Sequence, residues 1–216
     1  YDIVPVLQAL LGSEHFFDAA NRGSLIKTPL DFTISVCKDF NVLLPDSSQL
    51  EDQYYLWYKI HTQATNMGQM LGDPPNVAGW PAYYQEPSYH ELWINAITLP
   101  ARNSFSDKMC NNGYSSTNSL MVIDIVAYTT TLDAPEDPNL LIQEVIDRHL
   151  SMDVSQNVKD YLKSFLLSGQ LSDCYWTVAW DDYIGDPTDP GYYSIVQSRL
   201  KDMFTYLMDL PEYQLS

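Results

Sequence analysis

Apolar positions recur at helical spacing along most of the chain, and few segments alternate with the period of two that marks a half-buried strand. Residues 3–11 are the first helical stretch, and Ser13 can cap a further turn carrying Phe16 and Phe17 before Asn21-Arg22-Gly23 stops it. Thr28-Pro29 pairs a capping side chain with proline at the first helical position. The helix it opens is predicted to present Leu30, Ile34 and Cys37 on one face, with Phe40 a further candidate. Ser48 with Glu51 reads as a capping box. It opens the longest expected helix, residues 49–71, whose stripe carries Tyr54, Trp57, Tyr58, His61 and Ala64 before Gly72.

Residues 73–87 then break the periodicity with Pro, Tyr and Trp. Ser88 with Glu91 reads as a second capping box, starting a helix through Leu92, Trp93, Ile94 and Ile97 that Pro100 interrupts; a further helix is expected over 101–109. Residues 111–119 are polar and contain glycine, the best break in the chain and a possible subdomain division. Residues 121–126 fit a short strand or a helix equally. Asp137-Pro138 starts a helix with Leu141, Val145, Ile146 and His149 inward, and further helices are expected over 155–167, 174–183 and 192–210. The expected fold is mainly α: one irregular multi-helix domain, about eight to ten helices, long ordered loops and little or no sheet.

With 216 residues, 45% apolar and 18% charged, the chain can bury a substantial core. Eleven Lys plus Arg against 28 Asp plus Glu leave a net charge of −17. That balance argues against nucleic acid or an anionic membrane as partner, because both require basic clusters. No apolar run reaches the roughly 18 residues that span a bilayer. Sixteen tyrosines suit wet interfaces and ligand-facing surfaces as well as core edges. Three cysteines without CxxC spacing argue against zinc; in an exported protein a Cys110–Cys174 bridge is the favoured pairing, the alternative being three buried thiols.

The densest constraint on the backbone is Asp73-Pro74-Pro75-Asn76-Val77-Ala78-Gly79-Trp80-Pro81, entered from Met67-Gly68-Gln69. Prolines stiffen such a loop and glycine admits a conformation closed to other residues. Trp80 then either plugs the core or offers a ring to a ligand, with Tyr83, Tyr84, Tyr89, His90 and Trp93 following. Gln69, Asp73, Asn76, Glu86, His90, Glu91, Asn95 and Arg102 are the polar groups nearest in sequence. Glu86 and Glu91 could serve as the two carboxylates of a glycosidase, although Glu91 also has a capping role. Lys27, Arg22 and Arg102 suit either an anionic group or structural ion pairs. Asp181, Asp182, Asp186 and Asp189 offer oxygen ligands at short spacing but lack the EF-hand pattern, and Asp186 and Asp189 equally fit turn and cap positions. Nucleophile elbow, phosphate loop and HExxH motifs are absent, and His61 and His149 fall on apolar helical faces as core histidines do. No cofactor is implied.

The same stretch carries a family resemblance. Gly68-Gln69, Pro74-Pro75-Asn76-Val77-Ala78-Gly79-Trp80, Trp93-Ile94-Asn95 and Arg102, together with Ile26-Lys27-Thr28-Pro29 and Pro211-Glu212-Tyr213-Gln214-Leu215, resemble the bacterial family catalogued as domain of unknown function 1800. The resemblance implies the carboxyl-terminal part of a longer exported protein, periplasmic or at the cell surface. It implies partnership with an exported, sulfatase-like protein and brings no established activity. Two functions are expected from these readings. One is a non-enzymatic module that packs on its own amino-terminal region and binds a partner protein or a surface glycan, through candidates Lys27, Gln69, Asp73, Asn76, Trp80, Tyr83, Tyr84, His90, Trp93 and Arg102. The other is an envelope hydrolase acting on polysaccharide, its site shared with the amino-terminal half.

Overall fold

The computed structural model of the chain describes residues 2–80 and 90–216. Among them are nine α-helices, several 3-10 turns and one two-stranded hairpin, so the fold is mainly α. The first helix, α1 (Val4–Leu11), buries none of its residues, and 3-10 turns at Glu14–Phe17 and Ala19–Asn21 follow it. Ser13 caps the first of these turns, its hydroxyl accepting from the Phe16 N–H at 3.3 Å.

Helix α2 (Pro29–Asp39) starts where the sequence indicates, the Thr28 hydroxyl accepting from the Asp31 N–H at 3.2 Å. Its inner face is rotated from the expected one. Phe32, Thr33, Val36 and Phe40 are buried, while Ile34 is exposed and Cys37 half-buried. Both faces satisfy helical spacing; the larger aromatic one wins because Phe32 meets the rings of Phe105 and Tyr213.

Helix α3 (Leu50–Asn66) is shorter than expected, and the Ser48–Glu51 capping box does not form. Asp46 instead caps a 3-10 turn, accepting from the Ser48 N–H at 2.7 Å and the Ser48 hydroxyl at 2.6 Å. The aromatic stripe of α3 also faces the opposite way from a core stripe. Leu56, Ala64 and Asp52 are buried; Tyr54, Trp57 and Tyr58 are exposed. Rings dominate a pattern read by hydrophobicity, yet tyrosine is amphipathic and marks either side.

The stretch 92–97 is not an α-helix. A 3-10 turn at Glu91–Trp93 precedes α4 (Thr98–Asn111), and Pro100 lies in the first turn of α4, where its missing N–H has no helical partner to lose. Ser88, the other half of the expected capping box, lies outside the described residues. Asn95 supplies the cap, its side-chain oxygen accepting from Ile97 N at 2.8 Å and Thr98 N at 3.0 Å.

Residues 111–119 turn into a hairpin of β1 (Tyr114–Ser115) and β2 (Leu120–Met121), with Tyr114 opposite Met121. Gly113 makes this turn possible: its φ is +64°, and a Cβ there would sit 2.3 Å from the Met121 carbonyl oxygen. Asp52 of α3 pins the tip, accepting from Thr117 N at 3.2 Å, Asn118 N at 3.4 Å and Asn118 Nδ2 at 3.1 Å. Burial pushes the Asp52 carboxyl up, but these hydrogen bonds outweigh it and hold the group below the usual carboxylate range.

Residues 121–126 divide between the two structures left open: Met121 ends β2, and α5 (Ile125–Thr129) begins after Asp124 caps Ala127 N at 3.0 Å. Helix α6 (Pro138–His149) buries Leu141, Val145, Ile146 and His149 as its pattern indicates. Then come α7 (Gln156–Leu166), α8 (Cys174–Gly185) and α9 (Pro190–Asp209). At 20 residues, α9 is the longest helix among the described residues, and it packs on α4, α5, α7 and α8. One hydrophobic cluster runs from Phe32 through Phe105 and Trp176 to Tyr213.

His149 is the hydrogen-bonded core histidine its position suggests. Its Nε2 lies 2.7 Å from the Tyr128 hydroxyl, and its ring stacks on Phe40 at 4.4 Å and 12°. The cysteines depart from expectation. All three are free, Cys110 is buried in α4 and Cys174 is exposed at the start of α8 beside the Ser172 hydroxyl, so the Cys110–Cys174 bridge is not formed.

Candidate functional site

The residues expected to form one site divide into two groups. Lys27 and Arg102 belong to a buried knot that ties the chain's end to its beginning. Ile26 pairs with Leu215 in an isolated antiparallel bridge, Lys27 N donates to the Gln214 carbonyl at 2.8 Å, and Ser216 N donates to the Leu25 carbonyl at 2.9 Å. Arg102 on α4 is 0% exposed. One guanidinium nitrogen donates to the Lys27 carbonyl at 2.7 Å and another to Gln214 Oε1 at 3.3 Å, while the group lies 5.1 Å from the Phe32 ring centre. Burial lowers its pKa to about 10. The Lys27 ammonium donates to the Tyr213 carbonyl at 2.9 Å and sits over the Tyr213 ring at 4.6 Å. Burial lowers the Lys27 pKa; Asp39 opposes the shift and Arg102 adds to it. Backbone carbonyls, the Gln214 amide oxygen and aromatic faces, rather than carboxylates, receive the two cations, and the buried Arg102 Nε has no hydrogen-bond partner among the described residues.

Gln69 joins this knot to the Pro-Trp loop. Its Oε1 accepts from the Leu30 N–H at 2.8 Å, one of the opening donors of α2 that no helical carbonyl can reach. Sequence places Gln69 beside the loop as a ligand candidate; the fold uses it as a brace. The motif segments 26–30, 68–69, 102 and 211–215 therefore meet in one place although they lie far apart in the chain.

The second group is the loop itself. Asn76 closes a turn, its Oδ1 accepting from Ala78 N at 2.8 Å and its carbonyl from Gly79 N at 2.9 Å, with Gly79 at φ +94°. Trp93 is 3% exposed and is the plug; its carbonyl accepts from the Thr98 hydroxyl at 2.9 Å. Trp80 is half-buried and leans on Trp93 with ring centres 6.2 Å apart. A cleft of about 390 Å³ opens here, its lining including Thr65, Met67, Met70, Asp73, Trp80 and Asn95. Asp73 is the single carboxylate among the described residues of that lining. His90 is half-buried just before the turn at Glu91–Trp93. Tyr83, Tyr84 and Glu86 lie outside the described residues.

Sequence reasoning missed what adjoins the cleft. Thr65 lies on the same α3 stripe as His61, Tyr58 and Tyr54, residues separated by three or four positions, so the stripe leads into the cleft. Tyr54 is 59% and Tyr58 63% exposed. The available signal was the set on the other side of the helix, the buried Leu56 and Ala64 with the partly buried Ile60, outweighed by the rings. Of the four aspartates weighed as metal ligands, Asp186 Oδ1 accepts from Thr188 N and Oγ1, and Asp189 Oδ1 accepts from Gly191 N and Tyr192 N to cap α9. Among the described residues no group of three or more side chains is placed to hold a metal ion.

Among the described residues no helix is long and apolar enough to cross a membrane. No curated protein and no solved structure matches the chain. A family model does: the one described as "Protein of unknown function (DUF1800)" matches residues 1–215, and the motif segments gathered around Arg102 and the Pro-Trp loop lie within that match. The chain belongs to the DUF1800 family.

Proposed function

We propose that this chain is a non-enzymatic binding module that holds an uncharged surface glycan along α3 and against the Pro-Trp loop. The observation that carries the reading is the exposed pair Tyr54 and Tyr58, continued along α3 by the half-buried His61 and Thr65 into the cleft beside Trp80. Exposed rings offer flat apolar faces of the kind that stack on the C–H faces of sugars, and their hydroxyls offer hydrogen bonds at the edge. A chain of net charge −17 repels acidic polysaccharides, which selects neutral ones. Hydrolysis of a glycosidic bond takes two facing carboxylates, and the described lining contributes Asp73.

Two further parts of the reading have their own support. The apolar side chains of α1, among them Val4, Leu7, Leu10 and Leu11, are exposed, as expected of a helix that packs on the amino-terminal half of a longer protein. Export to the periplasm or cell surface belongs to the same proposal, with the family resemblance as its support.

Titrating the protein with a panel of neutral and acidic oligosaccharides, with tryptophan emission as readout and product analysis in parallel, tests the proposal. A neutral glycan is expected to bind without turnover. Tyr58→Ala is expected to weaken it about tenfold, since one stacked ring contributes about 1–1.5 kcal/mol. Melting should hold within about 0.5 kcal/mol, because the ring is exposed. Turnover, or binding indifferent to Tyr58, would overturn the reading.

A further inference from the structure

We infer that the groove between α8 and α9 is a docking site for a basic amphipathic helix of a partner protein. Helix α8 buries Trp176 and Trp180 on one side, and Trp176 Nε1 donates to the Pro135 carbonyl at 2.8 Å, so this helix is anchored. Its other side carries uncovered apolar side chains. Tyr175 and Val178 are exposed, as are Tyr192 and Ile195 on the facing side of α9; Val178 is 56% and Ile195 45% exposed. Between the two helices lies a groove of about 490 Å³ whose lining includes Tyr175, Val178, Ala179, Asp182, Tyr192 and Ile195.

Length and charge identify the occupant. Helix α8 has 12 residues, so the groove runs for about 18 Å, the length of roughly three helical turns. Apolar side chains at helical spacing fill such a slot as anchors spaced three and four apart. Residues 174–192 carry Asp181, Asp182, Asp186 and Asp189 and no Lys or Arg. Hydrogen bonds from Thr188 hold the Asp186 carboxyl below its usual range, so it stays ionised in the turn that joins α8 to α9. Among the described residues of the lining the one cation is Arg199, tied down by donating to the carbonyls of Leu166 at 3.1 Å and Tyr175 at 2.8 Å, close to Cys174. The acidic end therefore calls for Lys or Arg on the rim of the bound helix, complementary charge that speeds encounter and fixes register. A second copy of this chain brings its own −17 and is repelled.

The test uses an amphipathic Leu/Lys peptide of about 14 residues, four helical turns, with a Leu/Glu peptide of the same pattern as control, followed by fluorescence anisotropy. The Leu/Lys peptide is expected to bind, to weaken as salt is raised and to exceed the control by about tenfold or more. Val178→Lys and the pair Asp181→Asn with Asp182→Asn are each expected to weaken it about tenfold. All three positions are exposed, so the melting curves should match the parent's. Absence of binding, equal binding of both peptides, or binding indifferent to both variants overturns the proposal. Dimerisation of the protein lost in Val178→Lys also overturns it, by assigning the face to a second copy.

Discussion

Replacing Arg102 with alanine is expected to lower stability by about 4 kcal/mol. The loss strands the Lys27 carbonyl and Gln214 Oε1 in a site closed to water, each costing roughly 1–3 kcal/mol, and leaves a void against Phe32. For a chain of this size the melting temperature should fall by about 12 °C. Arg102→Lys is expected to recover only part of this, because an ammonium cannot reach both acceptors with the planar fork of a guanidinium. Thermal and urea melts of the two variants measure it. Near-parental stability in Arg102→Ala would mean that the guanidinium is held in place for something other than the fold.

Acid should weaken the protein through His149. Burial lowers its pKa from 6.5 to about 4, with Lys27 and Arg148 adding to the shift, so the folded state holds the ring neutral where the unfolded state takes up a proton. A group whose folded pKa is depressed contributes stability that is complete above the unfolded pKa of 6.5 and is lost as pH falls towards 4. The shift corresponds to about 3 kcal/mol. Asp209 works in the opposite direction: burial and the neighbouring Asp107 raise its pKa to about 6, so its protonation favours the folded state as pH falls. Comparing variants separates the two. His149→Gln is expected to lose stability at neutral pH and to lack the parent's decline between pH 6.5 and 4. An equal decline in both proteins would assign acid sensitivity to other groups.

Several helix starts were legible in the sequence, because a capping side chain acts on its own neighbours, although the Ser48–Glu51 box does not form. Thr28, Asp137 and Asp189 each accept from N–H groups two or three residues ahead, whereas the cap at Asp124 was not read from the sequence. The orientation of helices was legible only where one side is unambiguously apolar, as in α6. In α2 two apolar faces compete and in α3 the rings sit outside, and nothing local decides between partners 70 to 180 residues away. The site shows the same divide. Spacing identifies the Pro-Trp loop as important, yet the roles of Gln69, Lys27 and Arg102 depend on Leu30, Gln214 and Tyr213, contacts that exist only after folding. Buried cations served largely by backbone carbonyls resemble ligand-binding cations in a sequence, since those acceptors belong to no residue type. The acidic groove between α8 and α9 was hidden because its aspartates read equally as turn residues, caps or metal ligands.

Trp80→Ala tests most directly whether the loop presents a binding ring or merely fills the core. Trp93 supplies the buried plug and Trp80 rests half-exposed upon it, so removing the outer ring should leave folding largely intact. Melting and binding of a neutral oligosaccharide measured on the same preparation give the answer. The expected result is a melting temperature close to the parent's with glycan binding abolished. A variant that unfolds, or one that melts normally and still binds, would contradict it.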